Sequence, residues 1–193
     1  MGNWGSRDRV ELGREEAATL ARDTGFTEEG VRDWHRAFLK DHPTGHISRA
    51  KFVTMYRNFF TKGDADQFSK NVFRVFDTDG SGTIEFGEFL TAIHATSSAR
   101  PEEKLRWAFN MYDVNGDGRV QLEELKQVMS GLHTMMGWRG RGEEQAEELY
   151  AKMDRGKGGG VEVEAFIAAC TSDPTLMAAL GGEASPKKRE GGN

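Results

Sequence analysis

D-T-D-G-S-G-T-I-E-F-G-E, the stretch Asp77–Glu88, decides the fold that this sequence predicts. Calcium, a hard divalent cation, takes six to eight oxygen ligands, and a twelve-residue loop supplies them from positions 1, 3, 5, 7, 9 and 12. Gly82 stands at position 6, where the backbone must turn sharply, and apolar Ile84 stands at position 8. The predicted ligands are four side chains and one backbone carbonyl: Asp77, Asp79, Ser81, Glu88 and the carbonyl of Thr83.

A second stretch, D-V-N-G-D-G-R-V-Q-L-E-E, repeats the pattern from Asp113 to Glu124. Gly118 occupies its turn position and Val120 its apolar position 8. The predicted ligands are Asp113, Asn115, Asp117, the backbone carbonyl of Arg119, and Glu124. Two such loops predict a protein that binds two calcium ions.

The two loops differ at position 9, where a ligand acts directly or through water. This residue is Glu85 in the first loop and uncharged Gln121 in the second. Because calcium affinity rises with the charge of the ligands, we expect the loop that begins at Asp77 to bind calcium more tightly than the loop that begins at Asp113.

Alignment on the apolar position 8 reveals an internal repeat. Ile47, Ile84, Val120 and Val161 each follow a glycine two residues earlier. The four loops, numbered in chain order, are Lys40–Lys51 (loop 1), Asp77–Glu88 (loop 2), Asp113–Glu124 (loop 3) and Asp154–Ala165 (loop 4).

Loops 1 and 4 keep this spacing but lack the ligands. In loop 1 the first and last ligand positions are Lys40 and Lys51, whose ammonium groups would repel a cation, and Pro43 restricts the backbone. In loop 4 positions 3 and 5 are glycine and position 12 is Ala165. We therefore expect neither loop to bind calcium.

The segments around the loops have helical periodicity. Phe68, Val72, Val75 and Phe76 form one apolar stripe that runs into loop 2, and similar stripes flank the other loops. This alternation of helix, loop and helix predicts an all-α fold. We expect a division into residues 1–98 and residues 99–180, followed by a flexible polar tail at residues 181–193.

The composition predicts a cytoplasmic protein that is neither a nucleic-acid binder nor an enzyme. The net charge is -5, no basic helix is present, and no signal segment is recognisable. No motif gathers a nucleophile, a base and an orienting residue, and Cys170 is expected to pack in a helix face. His42 and His46 do not predict zinc, because no cysteine or acidic ligand accompanies them.

The sequence begins M-G-N-W-G-S, which matches the pattern for N-myristoylation of Gly2. Acidic residues offset the arginines that follow, so no polybasic patch reinforces an acyl chain. A single myristoyl group gives weak, reversible membrane binding, which suits a switch. We therefore predict a lipoprotein that associates reversibly with membranes.

Three stretches carry a resemblance to a known family: F-L-K-D-H-P-T-G-H-I from Phe38, N-V-F-R-V-F-D-T-D-G-S-G-T-I from Asn71 and K-L-R-W-A-F-N-M-Y-D from Lys104. With them the chain resembles the neuronal calcium sensor family, EF-hand proteins of the recoverin, visinin-like and hippocalcin type. The resemblance implies four EF-hand units paired into two lobes, with a short antiparallel β bridge between paired loops. It also implies a groove that holds the myristoyl group or an amphipathic target helix. The candidate lining residues are Trp34, Phe38, Phe52, Tyr56, Phe59, Phe86 and Leu90.

The resemblance implies a calcium sensor that regulates a membrane-associated target. Targets in that family are receptor kinases, guanylate cyclases, channels and lipid kinases. Two alternatives remain: a cytosolic calcium buffer, which needs no exposed groove, and a regulatory subunit similar to calcineurin B. The silent loops 1 and 4 argue against the second, because that family keeps four working loops.

Overall fold

The structure is a computed structural model that describes residues 11–61, 63–98, 100–138, 140–154 and 159–181. Helices dominate it, and the strands are two or three residues long. The helices are α1 Arg14–Thr24, α2 Glu28–Asp41, α3 Arg49–Phe59, α4 Asp66–Phe76, α5 Phe86–Ser97, α6 Pro101–Tyr112, α7 Leu122–Met136, α8 Gly142–Asp154, α9 Val163–Ser172 and α10 Pro174–Leu180. The strands are β1 His46–Ser48, β2 Thr83–Glu85, β3 Arg119–Val120 and β4 Val161–Glu162.

Local signals in the sequence set several helix ends. The hydroxyl of Thr27 caps α2 by accepting a hydrogen bond from the Gly30 N–H at 3.0 Å. Pro101 opens α6, where its missing N–H has no intrahelical partner to lose. Gly137 ends α7 in the left-handed conformation, at φ 68°. The predicted helix–loop–helix alternation is confirmed by these elements.

Short antiparallel bridges join the loops in pairs. In the first bridge Ile47 lies opposite Ile84, and in the second Val120 lies opposite Val161. All four side chains are buried, so each bridge also contributes apolar contacts to the core. The prediction of an all-α fold with small β bridges at position 8 is therefore confirmed.

The core runs along the whole described part of the chain. Phe73, Leu90, Leu105, Leu125 and Phe166 are among its fully or almost fully buried side chains. Helix α4 packs against α3, α6 and α7, so the helix that enters loop 2 contacts both helices that flank loop 3. The predicted division into residues 1–98 and 99–180 stays a prediction.

Two helices were not expected from the sequence. Helix α1 precedes the first predicted stripe and packs against α2 and α5, burying Ala17 and Leu20. Helix α10 follows a sharp bend after α9 and buries Leu176 and Leu180. Helix α10 has only seven residues, and α1 buries too few apolar residues to show a long periodic stripe.

No single helix in the described ranges has the length and apolar composition needed to cross a membrane. Helices α9 and α10 together meet those two criteria, with a bend of 119° between them. Gly2 and the tail beyond Gly181 lie outside the described residues.

Candidate metal centres

The backbone of loops 2 and 3 turns at the glycines that the motif requires. Gly82 and Gly118, both at position 6, have φ values of 84° and 81°. This left-handed conformation is unfavourable for a residue with a Cβ atom. In each loop hydrogen bonds then link the residues at positions 1, 3 and 5, which keeps them close together, as an enclosed cation needs.

Loop 2 gathers three carboxylates around one point. Asp77, Asp79 and Glu88 each offer an oxygen, and these oxygens lie within 4.8 Å of one another. Asp77 is buried and accepts a hydrogen bond from the Gly82 N–H at 3.0 Å. The backbone N–H of Ser81 donates to Asp79 at 2.9 Å, and this bond lowers the pKa of Asp79 below its usual value. Asp77 and Asp79 are therefore held in place by their own loop.

The hydroxyl and carbonyl oxygens predicted as ligands lie beside these carboxylates. The Ser81 hydroxyl donates to the Thr83 carbonyl at 2.9 Å, and its oxygen lies 3.4 Å from a carboxylate oxygen of Asp77. Carboxylate, hydroxyl and carbonyl oxygens are the donors that calcium prefers. The donor set of loop 2 therefore fits calcium.

Glu88 joins the two ends of loop 2. Its Oε1 accepts hydrogen bonds from the N–H groups of Thr78 and Asp79, at 2.8 and 3.3 Å, and from the Thr78 hydroxyl at 3.0 Å. Its Oε2 accepts from the Glu85 N–H at 3.0 Å, at the first turn of α5. A shift of this one side chain therefore changes both the loop and the start of α5.

Loop 3 is built in the same way. Asp113 is buried and accepts from the N–H groups of Gly116 and Gly118, at 2.8 and 2.9 Å. Buried Glu124 accepts from Asn115 and Gln121 N–H groups at 3.0 and 2.9 Å. Asp113 and Glu124 thus accept backbone hydrogen bonds as Asp77 and Glu88 do in loop 2.

Asp117 of loop 3 has close polar neighbours. The amides of Asn115 and Gln121 donate to it at 3.1 Å, and the first of these bonds is the main cause of the lowered pKa of Asp117. Among the described residues only loop 2 brings three acidic ligand oxygens within 4.8 Å. Loop 3 has the neutral amide of Asn115 at position 3, and its predicted donor set of carboxylate, amide and carbonyl oxygens also fits calcium.

Loop 1 contains a cation of its own. The Lys51 ammonium donates a hydrogen bond at 3.0 Å to the carbonyl of Asp41, at position 2. Buried His42 stands at position 3, and its pKa is lowered by burial and by the charge of Lys51. The sequence predicted only that Lys51 would repel calcium, whereas the structure shows that its ammonium also ties the loop together.

In loop 4 positions 2 to 5 lie outside the described residues. The Arg119 guanidinium crosses from loop 3 and donates to the carbonyl of Gly159 at 3.0 Å, and it also pairs with Glu162. The side chain of Arg119 thus extends towards loop 4, whereas its backbone carbonyl is a predicted ligand of loop 3.

The predicted groove residues fall into two groups. Phe38, Phe52, Phe86 and Leu90 are buried in the core, and Tyr56 is half-buried. Trp34 and Phe59 are exposed by 39% and 63%, and Met55 joins them on the surface. Trp34 contacts Phe89 with 6.3 Å between ring centroids, and Phe59 contacts Phe60 at 5.1 Å. That these residues line one groove stays a prediction.

Cys170 is fully buried in α9, and burial is the main cause that raises its pKa to about 12. A thiol in this environment remains protonated at neutral pH and is a poor nucleophile. This position fits the packing role expected from the sequence.

Two stretches of the chain match known domain families. Residues 69–96, which include loop 2, match the EF hand domain. Residues 102–171, which include loops 3 and 4, match the EF-hand domain pair. The matched stretches therefore contain both loops whose oxygen donors fit calcium.

Proposed function

Because the chain is an EF-hand calcium-binding protein, we propose that it is a calcium sensor that binds two ions, one in loop 2 and one in loop 3. The observation that carries the proposal is the contact between exposed Trp34 and Phe89. Phe89 directly follows Glu88, the last predicted ligand of loop 2. A calcium buffer has no need for such a path from its site to an exposed aromatic side chain.

The mechanism follows from the charges in loop 2. The carboxylates of Asp77, Asp79 and Glu88 repel one another, and a bound divalent cation removes that repulsion. Glu88 then exchanges its hydrogen bonds to Thr78 and Asp79 for the ion. In sensor-type EF-hands this step opens the helix pair and exposes apolar surface.

The aromatic contacts of α5 carry the change towards α2. Phe86 lies 4.8 Å from His35 and 5.6 Å from Phe38, and Phe89 lies 5.1 Å from Phe38, each measured between ring centroids. A rotation of α5 therefore disturbs a packed aromatic cluster that ends at Trp34. Exposure of this cluster creates a surface for the apolar face of an amphipathic helix.

The partner that we propose is an amphipathic helix of a membrane-associated target, such as a receptor kinase, guanylate cyclase, channel or lipid kinase. This proposal is supported by the sequence resemblance to neuronal calcium sensors. A myristoyl group on Gly2 would add reversible membrane association to a cytoplasmic protein. EF-hand proteins of this kind are typically not enzymes, and regulation of another protein is the role we propose.

The test for a sensor is calcium-dependent binding to a hydrophobic resin, together with calorimetric titration of calcium. We expect retention in calcium but not in chelator, with two ions bound per chain. Trp34→Ser and Phe59→Ser should weaken retention and keep two bound ions. The matched control is Trp138→Ser, which removes an exposed indole (54%) that contacts His133 on α7 instead.

Equal retention in calcium and chelator, with two ions still bound, would indicate a buffer.

Membrane association is tested separately by liposome co-sedimentation of the myristoylated chain, with Gly2→Ala as its control. We expect sedimentation that depends on both calcium and Gly2. Sedimentation of Gly2→Ala at the native level would contradict a role for the acyl chain.

A further inference from the structure

Arg74 connects the helix that enters loop 2 to the helix that enters loop 3. It lies in the last turn of α4, three residues before Asp77. Its Nη2 donates hydrogen bonds to the carbonyl oxygens of Asn110 and Met111, at 2.7 and 3.4 Å. Both carbonyls belong to the last turn of α6, which leads directly into Asp113. One side chain therefore links two calcium loops through the helix ends that precede them.

The position of this guanidinium has an electrostatic reason. The last carbonyls of a helix have no intrahelical partner and carry partial negative charge, so a cation there is favourable. Burial lowers the pKa of Arg74, and the carboxylates of Asp113 and Glu124 partly oppose this by favouring its charged form. The Nε atom is buried and has no acceptor within the described part of the chain. Arg74 is thus held beside loop 3 in spite of incomplete hydrogen bonding.

Helix α4 also contacts the partner helices of loop 3 through apolar side chains. Phe76 meets Trp107 of α6 edge to face, with 6.4 Å between ring centroids. Near the other end of α4, Phe68 packs on Gly131 of α7, where an added Cβ would lie 3.6 Å from the Phe68 backbone nitrogen. Because α6 and α7 enter and leave loop 3, a change in their angle must alter their contacts with α4.

We propose that Arg74 is a positioning residue that couples the calcium affinities of loops 2 and 3. This inference rests on the proposed function, since both loops have to bind calcium. Filling of loop 2 moves α5 relative to α4, and Arg74 passes the adjustment of α4 to the end of α6 and so to Asp113. By linkage, filling of loop 3 changes the affinity of loop 2 by the same factor.

The quantity to measure is a coupling factor, the ratio of the loop 3 dissociation constants with loop 2 blocked and with loop 2 filled. Calorimetric titration of Glu88→Gln gives the first constant, and titration of the native chain gives the second. For the native chain we expect a factor that differs from one by about fivefold or more, as is typical of coupled sites. In Arg74→Met, with and without Glu88→Gln, the factor should fall to within about twofold of one.

Two further variants separate the causes. Arg74→Lys keeps the charge but loses the planar fork of donors, and its factor should lie between the native and the Met values. Arg106→Met is the matched control, because Arg106 lies on α6 but pairs with Glu164 of α9 at 2.8 Å. It should keep the native factor.

A native factor near one, or the native factor in Arg74→Met, would overturn the proposal. If circular dichroism shows that Arg74→Met does not fold, the coupling factor of Arg74→Lys is used instead. A native coupling factor in Arg74→Lys would then overturn the proposal. Failure of the proposed function looks different, because the native chain would then bind no calcium at loop 2 or loop 3, or would bind two ions and show equal resin retention in calcium and chelator.

Discussion

Glu88→Gln separates two roles that the structure gives to one carboxylate. Without calcium, Glu88 caps the start of α5 through the Glu85 N–H and closes loop 2 through Thr78 and Asp79. With calcium, it is the proposed ligand at position 12. Glutamine keeps the size of the side chain but offers one acceptor oxygen instead of two. If that oxygen accepts from Thr78, the amide NH₂ faces the Glu85 N–H. Two donors then meet, and the hydrogen bond that caps α5 is lost.

In chelator the opposing effects nearly cancel. Loss of the helix-capping hydrogen bond costs about 1 kcal/mol. Removal of the negative charge relieves the repulsion from Asp77, whose oxygen lies within 4.8 Å, by about 1 kcal/mol. The repulsion from Asp79 is weaker, because Asp79 is exposed and solvent screens its charge. We therefore expect the free energy of unfolding in chelator to change by less than about 1 kcal/mol.

In calcium the substitution has a large effect. A sensor loop with a dissociation constant of about 10⁻⁶ M is stabilised by about 4.1 kcal/mol in about 1 mM calcium. A loss of affinity of about a hundredfold reduces this to about 1.4 kcal/mol. Glu88→Gln should therefore lose about 2.7 kcal/mol of calcium-dependent stability.

Urea denaturation of the native chain and the variant, in chelator and in calcium, measures both quantities. Glu124→Gln is the matched variant in loop 3. Because Glu124 is buried and has no such cluster of three carboxylates around it, we expect Glu124→Gln to lose stability in chelator as well, by about 1–3 kcal/mol. A Glu88→Gln chain that is destabilised in chelator but keeps the native calcium increment would refute the reasoning, since Glu88 would then be a cap and not a ligand.

Three further predictions concern the silent loop 1 and the contact between the start of α4 and α7. The pKa of His42 is lowered in the folded chain, so the folded state favours the neutral imidazole. The stability that neutral His42 contributes is therefore present above about pH 6.5 and is lost as the pH falls towards the folded pKa. His42→Asn should flatten the pH dependence of the urea midpoint. Gly63→Ala should cost about 1–3 kcal/mol in chemical denaturation, because the new Cβ would lie 1.8 Å from the Thr134 carbonyl oxygen. Gly131→Ala is its control and should be neutral or stabilising by up to about 1 kcal/mol, because it meets only ordinary contacts within a helix. Lys51→Glu should leave two bound calcium ions by calorimetry, because the other cationic and restricted positions of loop 1 remain; a third ion would contradict this expectation.

The part of the structure that the sequence predicts best is the part with a strict spacing. The interval between the turn glycine and the apolar position 8 located Ile47, Ile84, Val120 and Val161, and the family resemblance implied the bridges in which they pair. The reason is physical, because the ligand positions, the turn glycine and the bridge residue of each loop all lie within twelve residues. The position of each of these features within a loop is therefore set by local sequence.

Contacts between residues that are distant in the sequence are harder to predict, because no periodic pattern indicates them. Lys51 reads as a charge that repels calcium, and its hydrogen bond to Asp41 depends on how the backbone of loop 1 curls. In the sequence Arg74 is simply a polar residue in the helix that precedes loop 2. The carbonyl groups that accept its hydrogen bonds lie 36 and 37 residues further along the chain. The same limit applies to surfaces, since spacing alone did not separate buried Phe52 from exposed Phe59 on α3. Spacing therefore predicts which loops carry oxygen donors that fit calcium, whereas the coupling that we propose between the loops depends on side chains whose contacts form only when α4, α6 and α7 are packed together.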